Sequence, residues 1–126
     1  MKVKFSKQVT ITPAWRGNDS LHPADQVKVD LAVLEFDDLV TLMEAFQSKA
    51  GDGSGVDTKV IGAMAKDILP RYAVIHNLSD DDGEVDIIRI AQYPAYLDLT
   101  TEILMKLAEV STPSKEDEKN SQPPLV

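Results

Sequence analysis

Two segments in the first quarter of the chain alternate apolar and polar residues with a period of two. In residues 1–12 the alternation places Val9 and Ile11 on one face, and Pro13 ends the segment. Residues 26–34 alternate more regularly. Their apolar positions are Val27, Val29, Leu31 and Val33. Because this period is typical of strands with one buried face, we predict a small antiparallel sheet near the amino terminus.

The pattern changes to that of a helix at Asp37. We expect Asp37 to cap the helix and Asp38 to lie in its first turn, where carboxylates favour the positive end of the helix dipole. The next apolar residues recur at i, i+3, i+4 and i+7, and therefore share one face. They are Leu39, Leu42, Met43 and Phe46. The glycine-rich segment 51–55 ends this helix and lacks the Gly-Lys-Ser/Thr ending of a phosphate-binding loop.

A second helix is predicted to begin at Asp57 or Thr58, either of which can cap it. It is apolar over much of its surface, so we expect it to be the central helix, covered on two sides. Its apolar residues are Val60, Ile61, Ala63, Met64, Ala65, Ile68 and Leu69. Pro70 lacks a backbone donor and clashes with the preceding turn of a helix, so we expect a kink or a restart there.

The region around an acidic segment at residues 79–84 supports two interpretations. Tyr72 and Ile75 continue the buried stripe of the second helix. The flanking segments 73–75 and 85–90 are rich in β-branched residues, however, and a hairpin across the acidic turn is the alternative.

The last predicted helix starts at Pro94, which suits the first helical position, and runs to about Val110. Its apolar stripe consists of Tyr96, Leu99, Ile103, Leu107 and Val110. Beyond it, residues 113–126 are almost entirely polar, charged or proline, a composition typical of disorder.

Together the elements predict an α+β fold that is mainly helical. A small N-terminal antiparallel β-sheet is followed by three to four helices and a disordered C-terminal tail. We expect residues 1–112 to form a single compact domain, with strands in 1–34 and helices in 36–110, and residues 113–126 to be a polar tail. A chain of 126 residues is long enough to bury a core of its own.

Composition narrows the classes of partner. The formal net charge of −8 disfavours nucleic acids, whose binding needs clustered Lys and Arg, and it disfavours anionic membranes. No apolar run approaches the roughly 20 residues that cross a bilayer, and the start of the chain lacks the apolar region of a signal peptide. Since the sequence has no cysteine, disulfides are excluded and a cytoplasmic location is expected.

No catalytic, cofactor or metal site can be assembled from the sequence. His22 and His76, the two histidines, belong to no HExxH, Cys-His or nucleophile-elbow motif. Acidic residues cluster at 80–86, but an EF-hand loop placed there would need a ligand where Leu78 stands. We therefore predict a binding protein without a cofactor, and not an enzyme.

Six residues are candidates for contact with a partner or with a second copy of the chain. Trp15 stands beside Arg16 in a predicted loop, and both residue types are enriched at interface hot spots. The alternative for Trp15 is to close one edge of the core. The others belong to the last helix or lie just before it, where core and assembly surface are both open. They are Tyr93, Tyr96, Leu99, Ile103 and Leu107.

The order of these features resembles that of the tail assembly chaperones of long non-contractile-tailed phages and related prophages. Three segments carry the resemblance and cover about residues 25–121. They are the strand at 27–33 that leads into Glu35-Phe36-Asp37-Asp38-Leu39, the apolar segment that ends at the acidic turn 80–83, and the last helix at 99–107 with the charged residues 116–120.

The resemblance implies a non-enzymatic, mainly helical, self-associating protein. Such chaperones coat the long, aggregation-prone tape measure protein until tail tube subunits polymerise around it, and they are absent from the finished virion. The implied partners are the tape measure protein and the major tail tube protein, in the host cytoplasm. Many of these chaperones are made in two lengths by a ribosomal frameshift, and the codons of residues 118–120 are where we expect a slip site.

The main alternative is an acidic, phage-encoded inhibitor or DNA mimic that binds a nucleic-acid enzyme. It predicts a monomer or dimer whose carboxylates are spread over one face at phosphate-like spacing. The chaperone interpretation predicts oligomers whose size increases with protein concentration.

Overall fold

The computed structural model describes residues 8–47 and 57–112. A three-stranded antiparallel sheet, a short hairpin and four α-helices make up this part of the chain. The strands are β1 (Gln8–Ile11), β2 (Lys28–Ala32), β3 (Ala73–His76), β4 (Ser79–Asp80) and β5 (Gly83–Glu84). The helices are α1 (Phe36–Gln47), α2 (Thr58–Tyr72), α3 (Ile87–Gln92) and α4 (Leu97–Ser111), and 3-10 turns occupy Trp15–Ser20, Pro23–Asp25 and Pro94–Tyr96.

The sheet has β2 at its centre, with β1 and β3 antiparallel on either side. Val29 of β2 lies opposite Ile11 of β1 and Ile75 of β3. Val29 and Leu31 are fully buried, whereas Asp30 between them is only half-buried. The period-two pattern of the sequence therefore did identify the face of β2 that packs on the core.

Polar side chains tie the three strands together on the other face. The Thr10 hydroxyl of β1 donates to the Asp30 carboxylate over 2.6 Å, and His76 Nε2 of β3 lies 2.7 Å from the other carboxylate oxygen. The hydrogen bond from Thr10 has the largest effect on the Asp30 carboxyl group, and that with His76 comes next. Together they hold the pKa of Asp30 below its usual range. The half-exposed carboxylate thus joins all three strands.

The region around the acidic turn combines parts of both interpretations. α2 continues through Pro70 without the predicted restart, and it ends at Tyr72, where Ala73 is extended and donates its N–H to Leu69. The segment 73–76 then pairs with β2 as β3, and does not pair across the acidic turn. Across that turn the hairpin is limited to the two-residue strands β4 and β5, and Gly83 supplies the positive φ of 117°.

Helix starts follow the capping rules with one correction. Asp57 caps α2 as predicted, because its side chain accepts the N–H of Lys59 at 3.0 Å. α1 begins at Phe36, so Asp37 lies inside its first turn together with Asp38 and is not the cap. Pro94 starts a 3-10 turn, and the α-helical part of the last helix begins three residues later at Leu97.

α4 is the element around which the core is built. It contacts α1, α2, α3, β2 and the 3-10 turns at Trp15–Ser20 and Pro94–Tyr96. Its fully buried apolar residues are Leu99, Ile103, Leu104 and Leu107. They form one cluster with side chains from the sheet and from the other three helices. The second helix, α2, is covered by α1, α3, α4 and β3, as expected of a central helix, but Lys59, Ala63 and Lys66 keep one of its faces in solvent, so it is less enclosed than α4.

The predicted fold class is confirmed: the protein is α+β, with an antiparallel sheet followed by helices. The third strand of that sheet comes from beyond α2, and not from residues 1–34. The predicted strand over residues 1–7, the glycine-rich connector at 51–55 and the disordered tail at 113–126 lie outside the described residues. None of the helices in the described ranges has the length and hydropathy needed to cross a bilayer.

Replacing Leu104 by alanine should destabilise the protein by about 2–5 kcal/mol, because the side chain is fully buried and its removal leaves a cavity in the core. Chemical denaturation monitored by circular dichroism measures the change. Met105→Ala on the next residue, which is exposed, is the matched control and should change the free energy of unfolding by less than about 0.5 kcal/mol. Equal effects of the two substitutions would contradict this description of α4.

Candidate functional site

The three aromatic residues predicted as contact residues lie in one cluster with two arginines and an aspartate. The ring of Trp15 lies 5.8 Å from that of Tyr96. The Tyr96 hydroxyl donates to Asp80 over 3.3 Å, and Asp80 forms a 3.0 Å ion pair with Arg89. Arg16 lies over the Trp15 ring and Arg89 over the Tyr93 ring, at 4.7 and 5.8 Å from the ring centroids. We call these six residues the aromatic–arginine cluster.

The loop that carries Trp15 is held by a buried asparagine, Asn18, which was not singled out from the sequence. Asn18 donates its side-chain amide to the carbonyls of Pro13 and Val27, and its side-chain oxygen accepts the N–H of Val27 at 2.7 Å. Arg16 and Gly17 lie in the left-handed region, with φ of 51° and 74°. Arg16 therefore stores local strain that the asparagine contacts stabilise, and this conformation places its guanidinium over Trp15.

The acidic segment is held together by an arginine and by a helix cap. Asp80 and Asp82 both pair with Arg89, at 3.0 Å each. Asp86 caps α3 by accepting the N–H of Arg89 at 2.8 Å. In the described ranges, no group of three or more His, Asp or Glu side chains is arranged to hold a metal ion. The residue that organises this segment, Arg89, was missed by the sequence analysis, and its position just after the Asp86 cap is the signal that could have indicated it.

The remaining three predicted contact residues are core residues. Leu99, Ile103 and Leu107 are 0% exposed and pack inside the main apolar cluster. No partner can contact them while the domain is folded, so their assignment as a contact surface is corrected to the core alternative. Trp15 and Tyr96 are half-buried against the same cluster, while Tyr93 is more than half exposed. Trp15 thus closes an edge of the core and also forms part of a surface.

α1 carries an apolar stripe on its solvent face in addition to its buried one. Phe36 is 77% exposed, Val40 38% and Met43 45%, and their spacing of i, i+4 and i+7 aligns them along one side of the helix. Leu42 and Ala45 on the opposite side are buried. We call Phe36, Val40 and Met43 the α1 stripe. Met43 was predicted to share one face with Leu39, Leu42 and Phe46, but the buried side of α1 is narrower than that pattern and leaves Met43 in solvent.

A charged clamp fixes α1 against α2. Both oxygens of the Asp38 carboxylate accept from the Arg71 guanidinium, at 2.8 and 3.0 Å, and one also accepts the Tyr72 hydroxyl at 2.5 Å. The hydrogen bonds from Arg71, and to a smaller extent that from Tyr72, lower the pKa of Asp38. In turn, the Asp38 carboxylate raises the pKa of Tyr72. The clamp joins the first turn of α1 to the last turn of α2, and so fixes the orientation of the α1 stripe.

An open groove of about 670 Å³ lies where the end of α1, the start of α2 and one side of α4 meet. Its apolar lining comes from Phe46, Ile61, Leu97 and Met105. Its polar lining comes from Thr58, Asp98, Thr101, Glu102, Lys106 and Glu109. We call it the α1/α2/α4 groove. A smaller cavity of about 380 Å³ beside β3 is lined mainly by polar residues, among them His76, Asn77 and Asp86.

Asn18→Ala should lower the free energy of unfolding by roughly 2–4 kcal/mol, because it leaves a buried N–H and two buried carbonyls without partners. It should also shift the fluorescence of Trp15, the only tryptophan, towards that of a solvated indole. Denaturation followed by tryptophan emission measures both effects. Asp19→Ala, an exposed neighbour in the same turn, is the control and should leave both close to wild type.

The Asp38 clamp should make stability depend on pH in a defined direction. Because the pKa of Asp38 in the folded protein is below its ordinary value of 3.8, the clamp stabilises the fold fully above that value, and the stabilisation is lost as pH falls through the folded pKa. The difference in unfolding free energy between wild type and Asp38→Asn should be constant near neutrality and shrink below about pH 4.

Urea denaturation over a pH series measures this difference. Asp37→Asn removes a carboxylate from the same turn without breaking the clamp, and is the matched control. A difference between wild type and Asp38→Asn that stays constant down to the acid limit would contradict the assignment.

Comparison with known proteins adds no relative to these observations. No protein-family model matches the sequence, and no curated protein or solved structure is detectably similar to it. The surfaces described above, together with the order of features in the sequence, are therefore the basis for assigning a function.

Proposed function

We propose that the chain is a non-enzymatic tail assembly chaperone, which binds and solubilises the tape measure protein during phage tail morphogenesis. In this proposal it acts in the host cytoplasm as a homo-oligomer, hands its client to the major tail tube protein and leaves before the virion is finished. The resemblance of the sequence supplies the identity of the client. The single observation that supports binding of a helical client is the α1 stripe.

The α1 stripe is what a protein that holds apolar helices needs. A single exposed apolar side chain is common on any protein surface, but three in helical register form a continuous apolar row along α1. Two of the three are phenylalanine and methionine, which adapt to partners of varied shape and contribute large contact areas. An amphipathic helix of a client can pack its own apolar face along such a row.

The size of the stripe favours a client over a permanent dimer. A stable protein interface buries about 800 Å² on each partner, whereas a large aromatic side chain contributes only about 150–250 Å². Phe36, Val40 and Met43 together are too small for a permanent dimer. Weak contacts of this size become effective when several copies bind along one long chain, which is how an oligomer would coat a tape measure protein.

The charge of the protein supports a solubilising role. A net charge of −8 on 126 residues keeps a complex with an apolar client in solution by mutual repulsion. The same charge is less suited to DNA mimicry, because several carboxylates are engaged internally. Asp38 binds Arg71, Asp80 and Asp82 bind Arg89, and Asp30 binds Thr10 and His76. These four carboxylates are therefore already partnered within the protein.

Co-production with the tape measure protein of the same genome tests the proposal. The wild-type chain should keep that protein in the soluble fraction after centrifugation. Phe36→Ser combined with Met43→Ser should lower the soluble amount roughly tenfold, because two large apolar contacts are lost. Ile88→Ser, which removes an exposed apolar residue from α3, outside the α1 stripe, is the control and should behave as wild type.

Static light scattering over a concentration series tests the oligomer separately. The average mass of the wild-type protein should increase with concentration. A tape measure protein that stays insoluble with wild-type chain, or that the double variant solubilises equally well, would refute the client assignment. A strict monomer at every concentration would refute the homo-oligomer.

A further inference from the structure

We infer that the α1/α2/α4 groove is a binding site for one class of ligand: an amphipathic helix whose apolar row is flanked by lysine or arginine. The inference rests on the proposed function and deepens it, because it gives the chemistry of a client segment and adds the groove to the α1 stripe as a second place where the client binds. It is carried by the shape of the groove, by the secondary structure of its walls and by the charges along its rim.

The apolar part of the groove has the form of a helix-packing surface. Leu97 and Met105 lie at i and i+8 on α4, with Thr101 between them at i+4, and because the Thr101 hydroxyl donates to the Leu97 carbonyl, the three side chains form a single, mostly apolar ridge. Phe46 of α1 and Ile61 of α2 form the opposite wall. From residue 97 to residue 105 the ridge runs for about 12 Å, which is a little more than two helical turns.

The walls of the groove select a helix over an extended peptide. Every residue that lines it belongs to α1, α2 or α4, and the backbone groups of those helices are largely used within the helices. An extended peptide binds by adding a strand to a sheet edge, and this groove offers no such edge. The main anchor on the protein side is Met105, which is 58% exposed and whose flexible thioether adapts to varied apolar side chains.

The rim of the groove selects positive charge. Asp98, Glu102 and Lys106 form a second row on α4, in which each residue directly follows one of the ridge residues in sequence. Glu109 lies at the end of this row. Lys106 pairs with Glu109 over 3.4 Å, and Glu102 accepts the N–H of Ala14 at 2.6 Å. Three carboxylates against one ammonium leave the rim acidic, so lysine or arginine beside the client's apolar row is attracted to it.

The same charges argue against a second copy of the chain as the occupant. The exposed apolar row that another copy would insert is the α1 stripe, and Asp37 lies directly beside it. Docking the stripe into the groove would bring that carboxylate towards Asp98 and Glu109 in an already acidic protein. Like charges brought together in this way disfavour the contact.

Fluorescence anisotropy with two labelled synthetic peptides tests the inference on the full chain. The first peptide is a helix former with leucines at i, i+4, i+7 and i+11 and lysines in the adjacent row, and the second has glutamate in place of each lysine. The wild-type protein should bind the lysine peptide at least tenfold more tightly than the glutamate peptide. Raising the salt concentration should weaken the binding of the lysine peptide.

Two variants locate the site. Met105→Glu should lower the affinity for the lysine peptide at least tenfold, because it places a charge in the apolar ridge. The control, Ile88→Glu on α3, should bind this peptide with an affinity within twofold of wild type. Asp98→Asn combined with Glu109→Gln should weaken binding about threefold and reduce its salt dependence. Circular dichroism confirms that each variant is folded, which is expected because all the substituted residues are exposed.

Each result decides between outcomes. Three results overturn the inference: equal binding of the two peptides, unchanged binding by Met105→Glu, or no binding by the wild type. Each does so even if the tape measure protein is kept soluble through another surface. Binding that depends on Met105 while the tape measure protein stays insoluble supports the groove and refutes only the chaperone role. Loss of self-association in Met105→Glu, with peptide binding retained, would assign the groove to a second copy and overturn the inference.

Discussion

Burial of the apolar face of α4 is the interaction on which the rest of the structure depends. Each large apolar side chain that is fully buried contributes roughly 1.5–3 kcal/mol, and α4 buries four of them against the sheet and the other three helices. Because α4 occupies the centre, the other helices surround it and each keeps a face in solvent. For α1 that face carries an apolar stripe among polar residues, and for α4 itself only the narrow side along the groove remains accessible.

Polar contacts fix the positions of the loops and helix ends that burial of the core does not determine. Asn18 holds the loop before β2, the Asp38–Arg71 pair joins the ends of α1 and α2, and Arg89 gathers the acidic turn. The two ion pairs are partly exposed, so each contributes little to global stability compared with the buried leucines. Their effect is local: they set the direction of the Trp15 loop and of the α1 stripe, which are surfaces available to a partner.

The sequence predicted those parts of the fold that local periodicity determines. The alternation around Val29 identified the buried face of β2, and the stripe at Leu99, Ile103 and Leu107, spaced by four residues, identified the last helix. It could not predict that 73–76 pairs with β2, because strand pairing between distant segments depends on how α1 and α2 bring them together. Periodicity also could not separate core from contact surface on α4, since both need the same apolar stripe.

The candidate surfaces were less predictable, for a related reason. Phe36 and Val40 were not singled out, because an apolar residue outside the main stripe of a helix is uninformative until the packing of that helix is known. Trp15, Tyr93 and Tyr96 were identified individually by residue type. Their meeting with Arg16, Asp80 and Arg89 depends on a loop, a hairpin and a helix end that lie far apart in sequence.

The position of α4 along the chain determines when the protein can fold during its synthesis. The ribosome makes β2, α1 and α2 first, and although these elements contact one another, the core that they share is incomplete until α4 has been translated up to Ser111. Folding is therefore delayed until nearly all of the described domain has left the ribosome, and the nascent chain exposes its apolar segments in the meantime. Any longer translation product that shares residues 1–112 would already contain every element of this core, so an extension would be added to a completed domain.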